Sequence, residues 1–270
     1  MYPDLLQVGN LTIHSFGVML VLAVIISVFL LYREAPGANI NQDLLLEAVV
    51  FTIFFGLLGA RLLYIAFNWI FFSEGFPVSL FSRFEGLSFF GGLIAGILTL
   101  YLWSRKRKIS FLKLGDLLAP YLMLGYAIGR IGCFLNGCCY GIETSVPWAL
   151  PARIGETALR HPVQIYAALG ALLIFFALKK ARLKRPFIGF ILFAMIALYS
   201  LLRFLTDFFR FGQPAWLGLS AAQLVSLCLI LVTAGLLFAY YYLLPEDYRP
   251  VFKLPRITKK KKLRSGRKFR

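Results

Sequence analysis

The chain has 270 residues, 60% of them hydrophobic and 15% charged, and its mean hydropathy is +0.77. A soluble domain is about half apolar and about a quarter charged, so 27 Phe and 13 Tyr exclude a water-soluble enzyme, a disordered chain and a secreted disulfide scaffold. Lys and Arg number 29 against 12 Asp and Glu; in so apolar a chain a net charge of +17 marks loops beside anionic lipid rather than a nucleic-acid surface.

Apolar runs near the ~20 residues that cross a bilayer recur along the chain. They predict helices at Ile13–Tyr32, Leu46–Phe67, Leu87–Trp103, Leu117–Ile131, Val163–Leu178, Phe187–Phe208 and Leu217–Leu243. The fourth and fifth are short and rich in Gly or Ala. The N-terminus MYPDLLQ has no basic region and no small-residue cleavage site follows, so the first helix is expected to stay. The fold class is therefore all-α: a polytopic membrane protein of about seven transmembrane helices. Residues 1–245 form a single helical membrane domain and 246–270 a basic cytoplasmic tail.

Orientation follows from the basic residues. Arg33, the block Arg105–Lys108 with Lys113, the block Lys179–Arg185 and the tail from Arg249 hold 22 of the 29. An odd helix count puts all of these on one face, which predicts the N-terminus outside and the C-terminus cytoplasmic. Arg83, Arg153, Arg160 and Arg210 fall on the other face. The tail ITKKKKLRSGRKFR faces lipid headgroups in this reading, and no nucleic-acid partner is expected.

Three arginines remain inside apolar helices: Arg61, Arg130 and Arg203. A buried charge of this kind costs roughly 2.5–3.5 kcal/mol at a helix centre, so each needs a partner. Asp207 lies one helical turn after Arg203. Asp116, near the inner side, does not reach the others. All three arginines lie in the later half of helices that run outward, so they share the outer leaflet. Their convergence would build an anion site, and the anion at that depth is a phospholipid phosphate, which the planar guanidinium fork fits.

After the fourth helix comes Gly129-Arg130-Ile131-Gly132-Cys133-Phe134-Leu135-Asn136-Gly137-Cys138-Cys139-Tyr140-Gly141. Four glycines in 13 residues permit close backbone approach to a ligand, and Arg130 and Asn136 supply donors. Gly92-x-x-x-Gly96 and Gly125-x-x-x-Gly129 predict close helix packing within the chain. Cys133, Cys138 and Cys139 face an oxidising exterior in this topology, which favours a loop-bracing disulfide. The loop has no Cys-x-x-Cys pair and no evident fourth ligand, so no metal is expected, nor any other cofactor. Cys228 is assigned to the apolar interior.

Together with Arg160-His161-Pro162-Val163-Gln164-Ile165-Tyr166, this loop resembles the prolipoprotein diacylglyceryl transferase family. The likeness extends through His14-Ser15-Phe16-Gly17, Gly59-Ala60-Arg61, Gly86-Leu87-Ser88-Phe89-Phe90-Gly91-Gly92 and Tyr199-Ser200-Leu201-Leu202-Arg203 with Asp207, in the family order. The chain departs from the family at Phe90, where a histidine is usual, and at Phe16, where a tyrosine is. Cys133 and Cys138 replace an asparagine and a glutamate, Asp207 stands where Glu is common, and Ala167 replaces an acid.

The resemblance implies transfer of the diacylglyceryl group of phosphatidylglycerol to the lipobox cysteine of a prolipoprotein signal peptide, in the bacterial cytoplasmic (inner) membrane among its lipids. Arg130 and Arg203 would hold the phosphate and, with His161, carry the catalysis. Arg61, Asn136, Gly141, Asp207, Gly91 and Gly92 would complete the substrate site. Arginine cannot take the thiol proton, so the base lies among His161, Asp207 and Glu143. Two other readings remain open: a lipid-binding paralogue without catalysis, and a membrane thiol-redox protein using Cys133, Cys138 and Cys139.

Overall fold

A computed structural model describes residues 4–8, 11–68, 86–152, 155–212, 216 and 218–243. Arg83, Arg153, Leu217 and the tail 246–270 lie outside the described residues. Seven long helices run in chain order among the described residues: α1 (Ser15–Glu34), α2 (Gln42–Phe67), α3 (Phe89–Lys106), α4 (Phe111–Leu135), α5 (Val163–Ala181), α6 (Phe190–Asp207) and α7 (Ala221–Leu243). Six are long and apolar enough to cross a membrane. The exception is α3, which has 18 residues and ends in Arg105 and Lys106. The protein is a helical, multi-pass membrane protein.

Local chemistry sets the helix ends and moves several of the predicted ones. Helix α1 starts at Ser15 because Leu11–His14 (β2) pairs antiparallel with Asp4–Val8 (β1). Helix α4 is ten residues longer than the 15 expected at Leu117–Ile131. The Ser110 hydroxyl accepts from Lys113 N–H and caps it, and it continues through Pro120 to Leu135. Helix α7 opens at Ala221 rather than Leu217. There Ser220 N–H donates to Gln223 Oε1 and Gln223 N–H to Ser220 Oγ, a reciprocal cap.

Helix α4 is the axis of the bundle. Inside its spanning window 44% of residues are buried, against 17% for α1, α2, α6 and α7. It packs on α1, α5 and α6, and its Leu114, Leu117, Met123 and Ala127 sit in one core with Leu31, Ala171, Leu178 and Ile191. The outward faces of α2, α3 and α7 are apolar (Phe54, Leu57, Ile94, Leu231), as lipid contact requires.

Helices α2 and α3 form a tight pair that leans only lightly on α1 and α4. Small residues bring them together: a Cβ on Gly91 would fall 2.4 Å from Gly59 O, and one on Gly92 3.4 Å from Gly56 O and Ala60 Cβ. Gly96 faces Thr52, and Gly125 faces Ser27 on α1, whereas Gly129 meets nothing within 4 Å. Close packing within the chain thus holds for three of these four glycines.

At one end of the bundle the basic blocks meet acids from other helices. Glu34 pairs with Lys179 and with Arg182 (2.7 Å), Glu47 with Arg107, and Asp116 with Arg185 (2.8 Å). Asp116 also accepts Gly189 N–H at 2.8 Å and Leu192 N–H at 3.0 Å, so it clasps the start of α6 to α4.

Candidate active site

The opposite end carries the loops after α4 and α6, stitched by backbone. Gly141 N–H donates to His161 O, His161 N–H to Ile142 O and Ile142 N–H to Phe209 O. A short pair, β3 (Leu150–Pro151) with β4 (Leu159–Arg160), extends this platform. Gly141 sits at the crossing, where a Cβ would fall 2.5 Å from Phe209 O and 2.6 Å from His161 O. Its function here is steric; no positive φ is involved.

Two of the three intramembrane arginines stand below the platform, each one turn after a tyrosine. Arg130 lies one turn after Tyr126 on α4, its guanidinium 4.7 Å from that ring. Arg203 lies one turn after Tyr199 on α6, and the Tyr126 and Tyr199 rings meet edge to face at 5.2 Å. The Tyr126 hydroxyl is within the field of both guanidiniums. Nη2 of Arg203 is 3.1 Å from Asp207 Oδ1, an ion pair by distance without hydrogen-bond alignment. Asp207 Oδ2 accepts from the Ser220 hydroxyl, which ties α6 to the cap of α7. Among the described residues no carboxylate pairs with Arg130.

The other predicted residues fall differently. Arg61 donates to Gly86 O at 3.2 Å and lies over Tyr64, contacts that belong to the α2–α3 pair rather than to Arg130 or Arg203. Gly91 and Gly92, expected in the substrate cradle, lie on the seam between α2 and α3, where Gly91 has no room for a side chain against Gly59. Asn136 is the C-terminal cap of α4, its N–H donating to Gly132 O. His161 Nδ1 is 3.2 Å from the Tyr166 hydroxyl, which also accepts from Trp148 Nε1 at 2.7 Å, and its ring rests 5.1 Å from that of Phe209. Glu143 is tied to Arg160 at 2.8 Å, while Arg160 also reaches Glu156 and covers Tyr140. Cys228 is exposed on α7, not interior.

The cysteines depart furthest from expectation. All are free thiols, and the sulfurs of Cys133, Cys138 and Cys139 lie within 4.8 Å of one another. Two left-handed residues, Gly137 (φ 66°) and Cys139 (φ 60°), turn the chain back after α4 and bring this about. Gln164, buried on α5, donates to Cys138 O at 2.7 Å and leaves its own Oε1 buried without a partner. Arg210 Nη2 is 3.5 Å from Cys139 Sγ. Contacts from Cys133 and Cys138, then Arg210 and Arg130, hold the Cys139 thiol well below its ordinary range.

Sequence reasoning gives no site role to Tyr126, Arg210 or Gln164. Tyr126 could have been found from its place one turn before Arg130, which repeats the Tyr199–Arg203 spacing.

The protein-family model for prolipoprotein diacylglyceryl transferase matches residues 3–239. A phosphatidylglycerol–prolipoprotein diacylglyceryl transferase of Geobacter sulfurreducens is 37% identical over 225 residues, covering 81% of this chain and 85% of its own. The protein of that name from Finegoldia magna is 32% identical over 237 residues, covering 87% and 94%. Another from Listeria innocua is 28% identical over 268 residues, covering 96% and 97%.

Proposed function

Because the chain belongs to the prolipoprotein diacylglyceryl transferase family, we propose that it transfers the diacylglyceryl group of phosphatidylglycerol to the lipobox cysteine of prolipoproteins. It is a transferase that acts at the first step of lipoprotein maturation, and it works from the bacterial cytoplasmic membrane with the Arg130 end outward.

The reaction needs a thiolate sulfur to attack the glycerol carbon that carries the phosphate. A C–S bond forms, the C–O bond breaks, and the electron pair leaves with glycerol phosphate. Arg130 and Arg203 bind the phosphodiester and stabilise the charge that grows on the leaving phosphate. Arg203 is already half-neutralised by Asp207, so Arg130 carries the larger share. Tyr126 orients the Arg130 guanidinium from one turn below, and its hydroxyl also lies in the field of Arg203.

For the thiol proton, the geometry favours His161 over its two rivals. Asp207 is held by Arg203 and Ser220, and Glu143 by Arg160. His161 engages Tyr166 through Nδ1 and keeps Nε2 for the proton. Acyl chains and the apolar segment of the signal peptide lie in the bilayer against the outward helix faces.

The observation that carries this reading is the paired Tyr–Arg arrangement on α4 and α6. Arg130→Lys keeps the charge and loses the bidentate fork; Arg130→Ala loses both. Lipidation of a lipobox peptide from labelled phosphatidylglycerol should be severely impaired in the first and essentially absent in the second. Deleting a buried charged contact costs ~2–5 kcal/mol, a loss of roughly 30-fold or more. Near-normal turnover in membrane-inserted Arg130→Ala would remove the chemical centre of the proposal.

A further inference from the structure

The three thiols beside Arg130 are not used by the mechanism above, and they sit closer than an inert loop requires. We propose that Cys133, Cys138 and Cys139 form a three-thiolate zinc site whose fourth position receives the acceptor thiol of the prolipoprotein. The second half of this statement rests on the transferase reading; the first does not.

Geometry comes first. Zinc holds thiolates at about 2.3 Å, so two sulfurs of one tetrahedral site stand about 3.8 Å apart. The sulfurs here are within 4.8 Å, and rotamer adjustments of about 1 Å close the site. A disulfide would need an approach to ~2.0 Å and would leave one sulfur unused.

The surroundings fit a thiolate-rich metal. Arg210 reaches Cys139 Sγ, and Arg130 lies in the field of Cys133 and Cys139. Zinc with three thiolates is a monoanion and with four a dianion, which two neighbouring guanidiniums offset. Gln164 pins the Cys138 carbonyl, and the left-handed backbone at Cys139 holds its sulfur toward the other two, strain of a kind that collects at functional sites. Three thiolates select soft ions such as zinc. Because the described residues bring no fourth His, Cys, Asp or Glu into the cluster, the site has the open form of a catalytic zinc rather than the closed form of a structural one.

Loading the site forms three Zn–S bonds and displaces to water the thiol protons that the cluster still carries. The acceptor thiol then binds as the fourth ligand and passes its proton to His161. Its thiolate attacks the glycerol carbon while the phosphate, held by Arg130, departs. No electrons are transferred to or from an outside reagent.

The test uses the full chain purified in detergent. Elemental analysis should find about one zinc per chain, and each of Cys133→Ser, Cys138→Ser and Cys139→Ser should lose most of it. Cobalt(II) exchanged into the wild-type chain should give thiolate charge-transfer bands and tetrahedral d–d absorption. A lipobox peptide should shift those bands, and its Cys→Ser form should not. Stripping zinc should abolish lipidation, and re-addition should restore it.

A wild-type chain that takes up no stoichiometric zinc or cobalt would overturn the site, as would its isolation with two of the three sulfurs in a disulfide. Undiminished lipidation by zinc-free protein, or peptide-independent cobalt spectra, would overturn the role. Zinc bound as expected, with no lipidation under any condition, would leave the site standing and sink the transferase reading instead.

Discussion

At Gly141 the difference between one hydrogen and a methyl group decides whether two strands of chain can cross. A Cβ there would press on the carbonyl oxygens of Phe209 and His161, both backbone atoms that cannot swing aside. Overpacking of this kind costs ~1–3 kcal/mol, and here it would also displace His161. Gly141→Ala should therefore lower thermal stability in detergent and cut lipidation at least tenfold, read from a melting curve and a lipidation assay on one preparation. A fully stable and active variant would show that the crossing has slack. Arg130 poses the opposite problem, since its side chain needs an anion and its nearest described partner is the face of Tyr126. That residual demand suits the phosphodiester of the proposed substrate.

Elements are joined here by single polar residues as much as by apolar area. Asp116 on α4 neutralises Arg185 and accepts two N–H groups at the start of α6, where the helix dipole is positive. Asp116→Ala would take the carboxylate away from a buried guanidinium and uncap α6, a loss of ~3–5 kcal/mol. The clasp is at the far end from Arg203 on the same helix. Urea or thermal unfolding should show the full destabilisation, while lipidation per folded molecule falls less than in Arg130→Ala. Equal stability of Asp116→Ala and wild type would remove the clasp. The α2–α3 pair is held by the opposite device, backbone against backbone at Gly59 and Gly91, with slight contact to the rest of the bundle.

On the scale of the whole molecule, the ends of the bundle differ in charge chemistry. One end gathers Arg107, Lys179, Arg182 and Arg185 against three acids, and the other carries the platform over Arg130 and Arg203. If the first end is cytoplasmic, a C-terminal fusion to a reporter that works only in the cytoplasm should be active, and the same reporter inserted near Pro147 should be silent. The reverse pattern would invert the protein in the membrane and move the lipid site to the inner leaflet.

Membrane residence, the helices and the family likeness were legible in the sequence, because hydropathy and helix period are local properties of the chain. Arg130 stood out for the same reason: a guanidinium in an apolar run is anomalous wherever the helix goes. The tertiary structure alone decided which anomalies meet. Arg61 matched Arg130 in depth and helix direction, yet α2 pairs with α3, and Arg61 went with it to Gly86 and Tyr64. Gly91 and Gly92 read as a ligand cradle, and the structure sets them on the α2–α3 seam, since a missing side chain serves either use. The cysteine spacing argued against a metal, because spacing assumes an extended ligand loop. Two left-handed residues fold that loop back on the end of α4, and three sulfurs meet that the linear chain keeps apart.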